Sequence, residues 1–140
     1  MKRRASSLAL LVVLAAGCSV GSLLDQMDAE NQKAIDTVCD CTNVFPDRAA
    51  CEAQFNSFFS ALDRDCLEDA LKVDKKASKK SLECLVDRQK DYNDCLEDML
   101  DCNDPNSLQG CQPLLSFDDC PQLPENVQTR VNACGGGGDD

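Results

Sequence analysis

Apolar residues recur along most of this chain at steps of three and four, the spacing that lines one face of an α-helix. Leu24, Met27, Ala34, Ile35 and Val38 form such a stripe and predict a first helix from about Ser22 to Cys41 (22–41). Thr42 to Phe45 reads as a turn. Pro46 can open the next helix, because the first helical position needs no N–H, and Asp47 suits the positively polarised first turn. Cys51, Phe55, Phe58, Leu62, Cys66 and Val73 continue one face, so a second helix is expected over 46–73, bent near Asp63. Asp74 is placed to cap a third helix. Its stripe is Leu82, Leu85, Tyr92, Leu96 and Met99, and it ends near Cys102 (75–102).

Beyond Cys102 the texture changes. Asn103-Asp104-Pro105-Asn106 is a turn signal, and Pro113, Pro121 and Pro124 punctuate a loop-rich stretch. Pro124 can open a last short helix over 124–134 that carries Val127, Val131 and Cys134. Gly135 to Gly138 and Asp139-Asp140 (135–140) read as a disordered tail. Alternation of apolar and polar residues persists nowhere, so no strand is expected. The predicted fold is all-α: a small, disulfide-stapled antiparallel helical hairpin or bundle of three to four helices with a loop-rich C-terminal part.

The cysteines supply the staples. The chain has eleven, with one Tyr, five Phe, no Trp and no His. So few aromatics limit the apolar area a domain of this size can bury, and covalent cross-links are the usual supplement. Ten cysteines lie between Cys39 and Cys134, enough for five bridges, and Cys18 stands apart. If the second and third helices form a hairpin turning near residues 74–76, residues whose numbers sum to about 150 come level. Cys66–Cys84 is then the best single pair, with Cys51 next, level with Cys95 or Cys102. Spacings of 11 and 7 put Cys84, Cys95 and Cys102 on one helix face at about 3.6 residues per turn. Cys39, Cys41, Cys111, Cys120 and Cys134 would tie the tail to the top of the first helix. The spacing Cys41-X9-Cys51 resembles one half of the twin-CX9C helical hairpins. The second half is absent, and the likeness is one of architecture without kinship.

The N-terminal segment reads as an address. Lys2, Arg3 and Arg4 precede a run that is apolar from Leu8 to Leu14, and Ala16-Gly17 leads into Cys18. The run is too short to cross a bilayer, which takes about 20 apolar residues, and fits a secretory signal. Residues 1–18 resemble the signal of bacterial lipoproteins, whose small-residue lipobox closes on a cysteine. Ala15 departs from the leucine preferred three places before that cysteine. The resemblance implies cleavage after residue 17, a diacylglyceryl group on Cys18 and an acylated new N-terminus. The resemblance stops at residue 18; composition and the ten remaining cysteines make 18–134 one cysteine-rich helical domain. Two or more chains anchor stably where one does not. Lipidation of Cys18 also resolves the odd cysteine count. Ser19, in the place where Asp marks inner-membrane retention in Gram-negative lipoproteins, favours the outer membrane of a bacterial cell envelope.

Charge narrows the function classes. The chain carries −11, and loss of Lys2, Arg3 and Arg4 with the signal takes it to −14. Such a surface argues against nucleic-acid binding, which needs Lys and Arg to neutralise phosphates. Closely spaced Cys39-Asp40-Cys41 could exchange disulfides or bind soft metals, but no His and no second close pair support it. Asp101, Asn103, Asp104 and Asn106 fail as a calcium loop, because Pro105 takes a ligand place and the following Gly is missing. Paired carboxylates such as Asp65/Glu68 and Glu97/Asp98 show no sign of the cleft that acid–base catalysis needs.

The one basic cluster of the mature chain is Lys72, Lys75, Lys76, Lys79 and Lys80. If the second helix returns to the lipidated end, these lysines meet anionic headgroups. The expected function is a lipid-anchored envelope protein without enzymatic activity, a structural or interaction module. No metal and no cofactor beyond the covalent lipid are expected, the membrane is the expected partner, and any protein partner is left unnamed. The alternatives are a thiol–disulfide or metal-handling envelope protein and a secreted, non-lipidated effector.

Overall fold

The computed structural model describes residues 18–41, 47–59, 62–104 and 106–135. The expected signal segment 1–17, the expected turn Thr42 to Phe45, Pro46, the side chain of Phe58, Pro105 and residues 136–140 of the expected tail lie outside the described residues. All regular structure among the described residues is helical: α1 (Val20–Cys39), α2 (Arg48–Phe59), α3 (Arg64–Leu71), a 3₁₀ turn (Lys72–Asp74), α4 (Lys75–Met99), α5 (Ser107–Cys111), a second 3₁₀ turn (Gln112–Leu115) and α6 (Glu125–Cys134). The small, disulfide-stapled all-α fold with a loop-rich C-terminal part is the one its periodicity predicts.

α1 and α4 are the long elements, and they lie side by side and parallel. At one end Val20, Leu23 and Leu24 pack with Leu82. Toward the other end Val38 packs with Tyr92 and Leu96, Lys33 pairs with Glu97 at 2.8 Å, and Cys41 is bonded to Cys102. The Asn93 amide, 1% exposed, donates to the carbonyl and carboxylate oxygens of Glu30 at 2.9 and 2.7 Å.

Parallel neighbours need a return path, and α2 with α3 provides it. The Cys39–Cys51 bridge holds the start of α2 against the end of α1. Arg48 spans the same corner through Asp36, Asp40 and Glu52. α3 sits by the start of α1, where Arg64 pairs with Asp25 and Asp28 and donates to the Gly21 carbonyl.

The single helix expected over 46–73 is therefore two. Asp63 breaks it: its backbone is extended and its carboxylate accepts from the Cys66 N–H at 2.7 Å, capping α3. Leu62 and Val73, expected in the core, are exposed as a result. Met99, expected on the stripe of the third helix, is also exposed. α1 starts and ends two residues earlier than the stripe suggested, and α4 ends at Met99, before Cys102.

The expected hairpin between the second and third helices does not form. Residues 71–76 contain no glycine, and no described residue has a positive φ, so the usual device for ending a helix in a tight reversal is missing. The 3₁₀ turn redirects the chain, and α4 buries its stripe on the 20-residue α1, a longer apolar surface than the eight-residue α3 offers.

The bridges follow from this. Cys66 joins Cys134 and Cys84 joins Cys120, in place of the expected Cys66–Cys84 pair. Cys51 joins Cys39, not Cys95 or Cys102, and Cys95 joins Cys111. After α5 the chain runs back along α4, so Cys95–Cys111, Cys84–Cys120 and Cys66–Cys134 form a nested ladder. Its last rung sets α6 on α3, and Val127 completes the core at the Val20 end.

Candidate functional site

The residues singled out for chemistry meet at the end of the molecule where α1 and α4 begin. Ser19 caps α1: its Oγ accepts from the Ser22 N–H at 3.0 Å. The apolar series Val20, Leu23, Leu24, Met27 extends the stripe of α1 one turn toward Cys18. Cys18, half-buried and unbonded, packs against the core cluster at that end. Cys18, the first described residue, thus already belongs to the packed domain. The sequence reading weighed Ser19 only as a sorting signal and missed its capping role, although a serine before an apolar-periodic run is the standard N-cap pattern.

Cys18 and three lysines of the cluster, Lys72, Lys75 and Lys79, share a cavity of about 250 Å³, lined also by Gly21 and Glu68. Lys75, Lys76, Lys79 and Lys80 flank a second, more open hollow beside it. Val20 and Leu82 pack in one cluster, and Lys75 lies seven residues before Leu82 while Cys18 lies two before Val20, so the start of α4 projects past Cys18 by about five residues of helix rise (~7.5 Å). Asp74 caps α4, its carboxylate accepting from the Ala77 N–H at 3.0 Å.

The electrostatics of this end are unusual for so acidic a chain. Lys72 is paired with Glu68 at 2.8 Å and Asp69 at 3.6 Å. The hydrogen bond to Glu68 raises the Lys72 pKa, and the same bond lowers that of Glu68. Glu68 packs over Gly21, where an added Cβ would lie 3.1 Å from its carboxylate oxygen. Lys75, Lys76, Lys79 and Lys80 make no salt bridge. Among the other described Lys and Arg residues only Arg130 shares that state. These lysines occupy the first two turns of α4, where the helix dipole disfavours positive charge. Lys75/Lys79 and Lys76/Lys80 are like-charge pairs at i,i+4, each costing about 0.2–0.5 kcal/mol. The arrangement works against the helix and presents unneutralised cations beside Cys18.

The other candidates do not assemble. Cys39 and Cys41 are bonded to different partners, Cys51 of α2 and Cys102 just beyond α4, and form no dithiol pair. In the 101–107 loop, Asp101 and Asp104 each accept the backbone N–H two residues on, at 2.9 Å, which are turn-forming bonds. No group of three or more metal-ligating residues occurs among the described residues. No described helix is long and apolar enough to cross a membrane. The carboxylates Asp65/Glu68 and Glu97/Asp98 lie on helix faces, Glu97 taken up by Lys33.

Compared with known proteins, the chain matches no family model, no curated protein and no solved structure.

Proposed function

We propose that this chain is a lipid-anchored protein of a bacterial envelope, held by lipid on Cys18. Its domain stands on the bilayer on its lysine-rich end and works there as a non-enzymatic structural or interaction module. The observation that carries the reading is the shared cavity of Cys18, Lys72, Lys75 and Lys79, together with the cap at Ser19 that leaves no tether between anchor and helix. An anionic surface relieves the repulsion among the lysines, at roughly 1 kcal/mol for each lysine brought near it. Outside the cluster, residues 18–140 hold 25 Asp and Glu against six Lys and Arg, so an anionic surface favours the lysine-rich end over the rest of the domain. Five disulfides suit an oxidising space outside the cytoplasm. Ser19 favours the outer membrane.

Two measurements test this. Mass spectrometry of the N-terminal peptide from a bacterial host reads lipid on Cys18; an unmodified N-terminus elsewhere rejects the anchor. Vesicle binding by a chain starting at residue 18 with Cys18→Ser tests the orientation separately. Binding to vesicles rich in phosphatidylglycerol is expected to fall with salt and by about fivefold for each lysine of the cluster changed to alanine. Equal binding to neutral vesicles, or none at low salt, rejects the lysine end as the contact face.

A further inference from the structure

About 24 Å along α1 from Ser19, at 1.5 Å per residue, a second cavity of about 220 Å³ opens between α1, α2, α4 and the C-terminal return. Ile35 and Val38 of α1, Phe55 of α2 and Phe117 supply apolar walls, and α4 contributes Gln89 and Tyr92. Two features separate it from a packing defect. No charged residue lines it, although the chain is rich in Asp and Glu. And its two polar side chains are nine-tenths buried, Gln89 at 7% and Tyr92 at 9% exposure. No described residue hydrogen-bonds the Gln89 amide or the Tyr92 hydroxyl, and neither group is fully sealed from solvent, as the Ser78 hydroxyl is. Gln89 sits on the apolar stripe, four residues after Leu85 and three before Tyr92, where the pattern calls for an apolar side chain.

An occupant that displaces water from the Gln89 amide and the Tyr92 hydroxyl forfeits about 1–3 kcal/mol for each group it leaves without a partner, so the cavity fits an occupant that supplies one. We propose that it binds a small neutral amphiphile, a molecule with an apolar body and one hydroxyl, carbonyl or amide group. The polar group meets Gln89 and Tyr92, and the body lies against Ile35, Val38 and the two phenyl rings. A cavity of about 150 Å³ holds a benzene ring, so this one takes a body slightly larger than that. The amide supplies both a donor and an acceptor and the phenol either, which suits an alcohol or a primary amide. The absence of any lining charge, within a domain of strong negative charge, selects against anions. The cavity is remote from the lysine-rich end, so its occupancy is independent of how that end is used.

The test uses the whole oxidised chain, ¹⁵N-labelled, titrated with 1-hexanol and with benzyl alcohol while the Gln89 side-chain amide and neighbouring backbone signals are followed by NMR. Saturable shifts centred on Gln89, Tyr92 and Val38 are expected. Gln89→Leu is expected to weaken the alcohols at least fivefold while leaving cyclohexane, which has no polar group, unchanged or tighter. Ala34→Phe, a change at a lining position of α1, is expected to fill the space and abolish the response. Its fold is checked by circular dichroism, and Gln89→Leu stands in if it does not fold. Shifts that never saturate, an unaltered response in Gln89→Leu, or preferential binding of tetramethylammonium or benzoate would overturn the proposal.

Discussion

Replacing Cys66 and Cys134 by serine removes the outer rung of the ladder and leaves four bridges in place. The rung closes 68 residues of sequence. In an otherwise open chain, a loop of that length restricts the unfolded ensemble by about 4.4 kcal/mol. The unfolded chain is not open, because Cys84–Cys120 already short-circuits it. The path from Cys66 to Cys84, across the bridge and on from Cys120 to Cys134, is only about 33 residues, which lowers the loss to about 3.7 kcal/mol. Cys66 is exposed and Cys134 half-buried, so serine forfeits little packing there and the measured loss is mostly the unfolded-state term. Cys39 and Cys51, 1% and 0% exposed, would mix the two effects.

The assay is guanidinium unfolding followed by circular dichroism, with ΔG from linear extrapolation and a rise in m as the unfolded chain expands. A double-mutant cycle sharpens it. With Cys84–Cys120 already removed, the path lengthens to about 53 residues, and loss of Cys66–Cys134 then costs about 0.4 kcal/mol more. A loss below about 1 kcal/mol would refute the loop account for this rung. Peptide mapping that finds Cys66 joined to Cys84 would refute the connectivity itself.

Four further outcomes follow from single side chains. Tyr92 is the only tyrosine of the chain, and burial raises its pKa. Tyrosinate absorbance should therefore rise in one transition above the usual value of about 10 and return to it in denaturant, with stability held below that pH and lost as pH climbs through the folded value. The Glu68 carboxyl, lowered by its bond to Lys72, should titrate by NMR below ordinary glutamate and return to the ordinary range in Lys72→Ala; the pair's contribution is present above the ordinary value and lost as pH falls through the lowered one. Asn93→Asp sets a buried carboxylate against Glu30 and should cost about 3–5 kcal/mol at neutral pH in denaturant titrations, with part recovered on acidification. Asp63→Ala removes the cap of α3 and should cost about 1 kcal/mol by the same measurement; an unchanged midpoint would argue that the break between α2 and α3 is held by something else.

Periodicity shows which face of a helix is apolar, and it showed that faithfully for α1 and α4. It carries no information on which other helix covers that face, and the errors here are of that kind. The stripe from Cys51 to Val73 stays in phase across Asp63, so phase alone cannot reveal the break; a capping carboxylate three residues before the Cys66 N–H can. The missing glycine near residue 74 was an equally legible signal against a tight hairpin, and with the hairpin went the Cys66–Cys84 pair. Gln89 was passed over because it interrupts an apolar series. In the fold, that interruption is what leaves a polar group inside a cavity.

The lysine cluster was plain in the sequence, but its meeting with Cys18 is a product of the parallel packing of α1 and α4, which no local pattern encodes. The cap at Ser19 gives that meeting its mechanical meaning. A polar tether after a lipidated cysteine would let the domain tumble, and lysines on a tumbling domain would face the bilayer only part of the time. With the proposed lipid on Cys18, a helix capped at the very next residue would transmit the anchor's position to α1, and through the α1–α4 interface to Lys75 and Lys79. Inserting a flexible Gly-Ser segment after Ser19, with the cap recreated beyond it, should therefore leave the fold and the lipid intact. It should loosen the domain's orientation on the membrane, read as increased accessibility of Lys75 and Lys79 to an amine-reactive reagent on whole cells or vesicles. Equal labelling with and without the insert would mean that the lysines are held to the surface by their own charge alone.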